Sequence, residues 1–138
     1  MRQQESPDFI VIDDDFINNL ICETIIQSEY PAARIDIFTN SQKALEYINA
    51  TYANPGSKKA VLLLDIDIPA INGWEILDNL NNSSGRIKQQ LKMYILTSSV
   101  KPEDRLKARE YIGVSGYIEK PLSKEKLQSI YMDVVESA

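Results

Sequence analysis

Five short apolar runs alternate with five segments of helical periodicity along this chain, and this alternation restricts the fold more than any other feature. The runs are predicted strands at 9–12, 34–38, 60–64, 93–96 and 115–118. The run 60–64 is apolar throughout, which is typical of a central parallel strand covered on both faces. Strict alternation of strands and helices predicts an α/β domain with a parallel sheet and right-handed crossovers.

The five predicted helices are marked by apolar residues that recur at helical spacing. Asn40 or Ser41 is suited to cap the second helix, Pro102 opens the fourth and Ser123 caps the fifth. The connections 49–59 and 81–92 are expected to be surface loops at the amino-terminal edge of the sheet. The positions that define the helices are Ile17, Leu20, Ile21, Thr24 and Ile25; Ala44, Leu45 and Ile48; Ile76, Leu77 and Leu80; Leu106 and 109–112; and Leu127, Ile130, Tyr131, Val134 and Val135.

Length and composition limit the classes of protein to consider. A chain of 138 residues, 43% hydrophobic, fits one compact domain, expected over 1–138 with a core at about 8–136 and no output domain. The run 60–64 is the longest apolar run, far short of a membrane span. The net charge of −5 argues against a nucleic-acid partner. The single Cys22 is expected to be a core thiol in a reducing cytoplasm. Histidine is absent, which excludes a histidine general base or zinc ligand in this chain.

Polar residues follow the predicted strands at the points where the strands end. Asp13 and Asp14 follow the first strand, Asp65 the third, Thr97 the fourth and Lys120 the fifth. In an open parallel sheet, ligands bind outside the carboxyl ends of the strands. Each of these residues taken singly has a structural explanation, because strand ends need polar groups. Taken together, three carboxylates, a hydroxyl and a lysine at one edge predict a functional site.

Such a cluster favours one kind of chemistry. Three neighbouring carboxylates repel one another unless a cation lies between them. Oxygen ligands without histidine or cysteine favour a hard ion, and a site with open positions suits Mg²⁺. The same ion would neutralise a transferring phosphoryl group while a carboxylate attacks it. A hydroxyl and an ammonium group then suit the phosphoryl oxygens of the product.

Four motifs in order carry a resemblance to a known family: FIVIDDD, LLLDIDIPAINGWE, YILTSS and SGYIEKP. Together they resemble the response-regulator receiver domain of two-component signalling, which includes the chemotaxis receiver. The resemblance covers the chain from about Phe9 to Val135. It implies a flavodoxin-like, doubly wound (βα)5 fold with a five-stranded parallel sheet in the order 2-1-3-4-5.

The resemblance also implies roles for the acidic residues. Asp65 resembles the phosphoacceptor. Asp13 and Asp14 resemble the acidic pair that holds Mg²⁺, Asp14 directly and Asp13 through water. Asp67 occupies the position at which the family supplies a backbone carbonyl to the metal. Its own acidic side chain is a departure from the family and puts the lifetime of the acyl phosphate in doubt.

Further roles follow for the residues near the other strand ends. Thr97 resembles the switch hydroxyl and Lys120 the lysine that reaches the phosphoryl group. Tyr117 occupies the aromatic switch position, although ordinary strand packing would also place a tyrosine there. Pro69 and Gly73 match the turn into the third helix. The Lys120–Pro121 peptide bond resembles one that is cis in the family.

The function implied is that of a stand-alone response regulator in the cytoplasm. A histidine kinase or a histidine phosphotransfer protein would donate the phosphoryl group, and the chain would catalyse only its own phosphorylation and dephosphorylation. The downstream protein target would bind the face formed by the fourth predicted helix, fifth strand and fifth predicted helix. We expect a monomer or weak homodimer without nucleic-acid or membrane partners.

Two other functions remain open. Haloacid-dehalogenase-like phosphatases also use a DxD at a strand end, here Asp65 and Asp67, with a later hydroxyl and lysine. Their metal-binding acids lie downstream of that lysine, whereas the acidic pair here lies upstream, at Asp13 and Asp14. The other alternative is a receiver-like docking module that is never phosphorylated. The presence of every phosphorylation residue argues against it.

Overall fold

The structure, a computed structural model, describes residues 6–53, 58–69, 71–83 and 85–136. The described chain forms five strands and six helices, and none of these helices is long and apolar enough to cross a membrane. The elements are β1 (Asp8–Ile12), α1 (Phe16–Glu29), β2 (Ile35–Phe38), α2 (Ser41–Tyr52), β3 (Ala60–Leu64), α3 (Gly73–Asn81), α4 (Gly85–Gln90), β4 (Leu91–Thr97), α5 (Pro102–Ala108), β5 (Val114–Glu119) and α6 (Lys124–Glu136).

The five strands form one parallel sheet in the order β2-β1-β3-β4-β5, as the resemblance implied. β1 pairs with β3 from Asp8 opposite Ala60 to Ile12 opposite Leu64, without a register shift. The chain leaves β1 towards β2 on one side and later reaches β3 on the other side. The carboxyl ends of β1 and β3 therefore flank the topological switch point, where ligands bind in this class of sheet.

Helices cover both faces of the sheet, as expected for parallel strands that are buried on both sides. Successive β3 residues point to opposite faces, so Leu62 and Leu64 pack on one side and Val61 and Leu63 on the other. The first face is covered by α2, α3, α4 and α5, and the second by α1 and α6. The apolar helix residues buried on the second face are Cys22, Ile26, Leu127, Ile130 and Val134.

Helix α1 is rotated differently from the orientation that its apolar spacing indicated. Ile17 and Leu20 are 60% and 48% exposed, while Asn18 and Asn19 are buried. The Asp15 side chain caps the helix by accepting hydrogen bonds from the backbone N–H groups of Ile17 and Asn18. Both asparagine side chains donate to atoms of Asp13, which turns this face of the first turn inward. Cys22 is buried, as predicted.

Two predictions about the second half of the chain were wrong. The connection 81–92 is not simply a loop, because it contains the short helix α4, whose Ile87 is buried. The predicted fourth helix, observed as α5, ends at Ala108 and does not reach Ile112, which is fully exposed. The chain turns there because Tyr111 N–H donates to the Ala108 carbonyl and the Tyr111 ring stacks on Trp74. The other predicted loop, 49–59, begins later than expected, because α2 continues to Tyr52. Residues 54–57 of that connection and the Val135 side chain lie outside the described residues.

Candidate functional site

The Lys120 ammonium group lies between two carboxylates at the carboxyl edge of the sheet. Its Nζ is 2.7 Å from Asp13 Oδ2 and 3.0 Å from Asp65 Oδ2. Asp13 follows β1, Asp65 follows β3 and Lys120 follows β5, so three separate strands supply this contact. The Lys120 N–H donates to the Thr97 carbonyl at 2.9 Å, which extends the β4–β5 pairing to the site. Residues distant in sequence therefore meet at the switch point.

Asp13 is held by hydrogen bonds on every side of its buried carboxylate. The Asp15 N–H donates to Oδ1 and the Asn18 side-chain amide donates to Oδ2, both at 2.9 Å. The Asn19 side chain donates to the Asp13 carbonyl at 2.9 Å. Neither asparagine was among the site residues predicted from the sequence. The signal that points to them is their helical spacing to Cys22 and Ile26, the residues that α1 buries.

Burial and charge act against each other at this site. Burial raises the pKa of Asp13, and the negative charge of Asp65 raises it further, although hydrogen bonds from Lys120 and the Asp15 N–H oppose the rise. Burial alone would lower the pKa of Lys120, but hydrogen bonds to Asp13 and Asp65 outweigh it and the pKa is raised. Lys120 is therefore a firmly protonated counter-ion for two acids that destabilise each other.

Asp65 is fixed by backbone contacts at the end of β3. Its N–H donates to the Ile12 carbonyl at 3.0 Å, and its Oδ1 accepts from the Asp67 N–H at 3.2 Å. Gly73 begins α3 directly against this segment, because a Cβ there would lie 2.5 Å from both the Asp65 carbonyl oxygen and the Ile66 Cα. Only glycine allows α3 to start so close to the site. The side chains of Asp67 and Pro69 are exposed.

Thr97 and Tyr117 are joined through a residue that the sequence analysis did not single out. Thr97 is fully buried, and its Oγ1 accepts from the Ser99 N–H at 3.2 Å. The half-buried Tyr117 donates from its hydroxyl to the Ser99 carbonyl at 3.2 Å. The Arg105 guanidinium lies 4.6 Å from the centre of the Tyr117 ring. A movement of Thr97 therefore has a hydrogen-bonded route to Tyr117. The peptide bond between Lys120 and Pro121 is cis.

The donor atoms at this edge fit a hard cation. Asp13 and Asp65 already direct one oxygen each at a single positive charge, that of Lys120 Nζ. Asp14 is exposed, and among the described residues no group of three or more acidic, histidine or cysteine side chains is arranged to hold a metal. Two carboxylates completed by water and phosphate oxygens are a usual set for Mg²⁺. The structure thus brings together Asp13, Asp65, Lys120 and Thr97, and leaves the Asp14 side chain at the rim.

Two curated proteins illustrate what the chain is similar to. The probable methanogenesis regulatory protein FilR2 of Methanothrix harundinacea is 28% identical over 103 residues, covering 75% of this chain and 64% of the relative. The probable transcriptional regulator ycf29 of Porphyra purpurea is 26% identical over 126 residues, covering 91% of this chain and 54% of the relative. The chain therefore spans less than two thirds of the length of either regulator.

Solved structures and a family model agree with the resemblance found in the sequence. A two-component response regulator from Cytophaga hutchinsonii has a TM-score of 0.86 and 30% identity, covering 96% of this chain and 99% of that one. A CheY-like receiver domain protein from Methanospirillum hungatei shares the fold, with a TM-score of 0.70 and 23% identity over 95% of this chain and 98% of that one. The family model described as the response regulator receiver domain matches residues 9–132. This chain belongs to the response regulator receiver domain family.

Proposed function

We propose that this receiver domain accepts a phosphoryl group on Asp65 from a histidine kinase or a histidine phosphotransfer protein, in a reaction that depends on Mg²⁺. The observation that carries the proposal is the position of Lys120 Nζ between Asp13 and Asp65 at the switch point. This arrangement offers an acceptor carboxylate, a second acid for a metal and a cation for the phosphoryl oxygens.

The transfer is a displacement at phosphorus. A carboxylate oxygen of Asp65 forms a bond to phosphorus while the P–N bond to the donor imidazole breaks, and the imidazole leaves with the bonding electron pair. The product is an acyl phosphate on Asp65. Lys120, already within hydrogen-bond distance of this carboxylate, is positioned to bind the new phosphoryl oxygens.

Asp13 and Asp65, whose carboxylates both contact Lys120, are the proposed Mg²⁺ ligands with geometric support. Asp14 and the backbone carbonyl of Asp67 are proposed as further ligands from the family resemblance alone. When bound, the ion would neutralise phosphoryl oxygens as charge develops on them. Asn18 and Asn19 hold Asp13 in place and so keep its carboxylate aimed at the site. The side chain of Asp67 is exposed and has no ligand role in this proposal.

We propose that phosphorylation is communicated through Thr97, Ser99 and Tyr117. A phosphoryl oxygen that accepts the Thr97 hydroxyl draws this residue towards Asp65, and the Ser99 N–H bonded to Thr97 Oγ1 moves with it. The carbonyl of Ser99 accepts the Tyr117 hydroxyl, so the aromatic ring responds. A shift from a mostly inactive to a mostly active population needs about 5.5 kcal/mol, which a few charge-assisted hydrogen bonds can supply.

Exposed apolar residues beside the site support binding of a protein donor. Phe16, Ile17 and Leu20 are 72%, 60% and 48% exposed in the first turns of α1, directly after the acidic segment that ends in Asp15. Exposed apolar residues clustered next to a reactive site are typical of protein contacts. We assign the donor to this surface and the downstream target to the face of α5, β5 and α6.

The two alternatives make different chemical demands. A phosphatase of the haloacid-dehalogenase type would hydrolyse unrelated phosphate esters continuously. A docking module would form no acyl phosphate at all. The order of the acidic residues along the chain and the receiver family match favour the phosphoacceptor over both.

Intact mass spectrometry after incubation with acetyl phosphate tests the proposal. We expect a gain of one phosphoryl group that requires Mg²⁺ and disappears in Asp65→Asn. The matched control is Asp67→Asn, which removes the neighbouring exposed carboxylate and should leave the adduct in place. Absence of an adduct in the wild type with Mg²⁺ would contradict the proposal. Turnover of unrelated phosphate esters would instead favour the phosphatase.

A further inference from the structure

The outer edge of β5 is open to another chain. β5 is the last strand of the sheet and pairs only with β4 among the described residues. Lys120 N–H faces β4, so by strand alternation the backbone groups of Tyr117 and Glu119 face outward. The Lys126 ammonium group lies on this outer side, where it donates to the Glu119 carbonyl at 2.7 Å.

A β-bulge limits the regular part of this edge. Ser115 is the extra residue of the bulge opposite Met93 and Tyr94, so regular pairing positions begin after Ser115.

A groove between β5 and α5 lies on one side of this edge and carries positive charge. It encloses about 270 Å³ and is lined by Arg105 and Arg109. None of the described residues that line it is acidic. The whole chain has a net charge of −5, so a groove with two guanidinium groups and no lining carboxylate contrasts with the rest of the protein.

A second groove lies on the other side of the same edge, between β5 and α6. It encloses about 460 Å³ and is lined by Tyr94, Ile130 and Met132 and, at its polar side chains, by Lys126 and Asp133. Met132 is 54% exposed, which leaves an apolar surface at this groove. Tyr117 lines both grooves, so the two grooves flank one stretch of strand.

We propose that the β5 edge binds an extended acidic segment of a partner protein by strand addition. The segment would pair with the outward N–H and carbonyl of Tyr117 and the N–H of Glu119. Side chains of an added strand alternate between its two faces. Acidic side chains would point into the groove with Arg105 and Arg109, and the intervening apolar side chains into the groove with Ile130 and Met132.

This inference rests on the proposed function, because it gives the chemistry of the partner that the proposed output face binds. The strand edge favours an acidic polypeptide over a nucleic acid as the occupant. A phosphodiester backbone could contact the two arginines but would leave the outward backbone groups of β5 unpaired. An acidic peptide satisfies the two guanidinium groups and the strand edge together.

The probe is a fluorescein-labelled peptide, Ser-Glu-Val-Glu-Val-Glu-Val-Gly, titrated by fluorescence anisotropy at physiological salt. We expect it to bind, and the same peptide with Lys in place of Glu not to bind. Arg109→Glu should weaken binding by at least about tenfold, because it replaces an attraction with a repulsion between like charges. The matched control is Lys101→Glu, an equal change of charge just before α5 at a residue outside the groove, and it should weaken binding by less than about threefold.

Amide hydrogen exchange distinguishes strand addition from loose electrostatic attraction. With bound peptide, exchange of the Tyr117 N–H should slow, because a backbone acceptor now covers it. The titrations use the wild-type protein without Mg²⁺ and without any phosphodonor, so peptide binding is measured independently of phosphotransfer. If phosphotransfer to Asp65 fails, the peptide titration therefore still tests the binding of an acidic segment at the β5 edge.

Five outcomes would overturn the inference, and the first four come from the binding and exchange measurements. These are no binding of the Glu peptide, an equal loss in Lys101→Glu and Arg109→Glu, unchanged Tyr117 exchange in the complex, and tighter binding of a single-stranded oligonucleotide than of the peptide. A homodimer in sedimentation that buries the β5 edge would also overturn it, since the occupant would then be a second copy of the chain.

Discussion

Lys120 contacts two carboxylates that are almost fully withdrawn from solvent, with Asp13 1% and Asp65 6% exposed. Two anions so close together are tolerated because one cation lies between them and because Asn18 and the Asp15 N–H bind Asp13. The sequence predicted the charged residues of this site, since acids and a lysine at strand ends are visible as a pattern. It did not predict the neutral partners, whose role depends on how α1 is rotated.

Replacement of the ammonium group should destabilise the fold. We expect Lys120→Met to lower the free energy of unfolding by about 2–4 kcal/mol, because two buried carboxylates lose their shared counter-ion. Saturating Mg²⁺ should restore part of this loss, since a bound cation would take over the neutralisation. Urea unfolding followed by circular dichroism measures both effects. The exposed Lys88→Met serves as the control, and equal stability of the two variants would contradict the prediction.

The amide of Asn18 should contribute to stability through its hydrogen bond to Asp13. We expect Asn18→Ala to cost about 1–2 kcal/mol, because the buried carboxylate loses a donor that water cannot easily replace. Gln27→Ala, an exposed change on the same helix, should stay within about 0.5 kcal/mol of the wild type. Thermal unfolding of the three proteins gives the comparison. A cost as small for Asn18 as for Gln27 would show that the hydrogen bond is not stabilising.

At the scale of the elements, the helices differ in how far their sequence determines them. α3 begins with a capping box, in which Asn72 accepts from the Glu75 N–H and the Glu75 side chain accepts from the Asn72 N–H. In α1, apolar residues occupy both faces, so spacing predicts the helix but not which face is buried. α4 has six residues and one buried side chain, which is too little periodicity to identify a helix. α5 ends at Ala108, earlier than predicted. The Tyr111 ring beyond it stacks on Trp74, and this tertiary contact cannot be predicted from the local sequence.

The starts of two helices offer a matched pair of substitutions. Gly73→Ala should destabilise the protein by about 1–3 kcal/mol, because the added Cβ would overlap the backbone at Asp65 and Ile66. Gly85→Ala adds the same methyl group at the start of α4, where nothing lies within 4 Å, and should be neutral or stabilising by up to about 1 kcal/mol. Chemical denaturation of both variants checks the prediction. The opposite order of stabilities would contradict it.

At the scale of the whole molecule, alternation of strands and helices predicted the parallel sheet, and the strand order came with the family resemblance. Both are confirmed by the structure and the comparisons. Local pattern works well here because β3 is apolar at every position and a parallel sheet buries such a strand on both faces. The contact of Lys120 with Asp13 and Asp65 could not be read from local pattern, because it joins three distant parts of the chain.

Cys22 provides a reporter of the cooperative stability of this fold. The thiol is fully buried, and burial raises its pKa to about 12, so it should react with thiol reagents only after the chain opens. Labelling at pH 8 should therefore be slow in the native protein and fast in denaturant. Mg²⁺ at about a hundred times its dissociation constant should slow native labelling about a hundredfold, because it binds only the folded state. Unchanged labelling with Mg²⁺ would contradict a metal site coupled to folding.

The unbroken pairing of β1 with β3 has a consequence for how relatives of this chain can vary. Five consecutive residue pairs of β1 and β3 lead directly to Asp13 and Asp65. The backbone pairing of these two strands therefore fixes the distance between the two acids. One residue inserted or deleted within either strand would displace one acid relative to the other and turn its side chain to the opposite face. Length changes should therefore collect in the connections at the far edge of the sheet, while these two strands should keep a constant length.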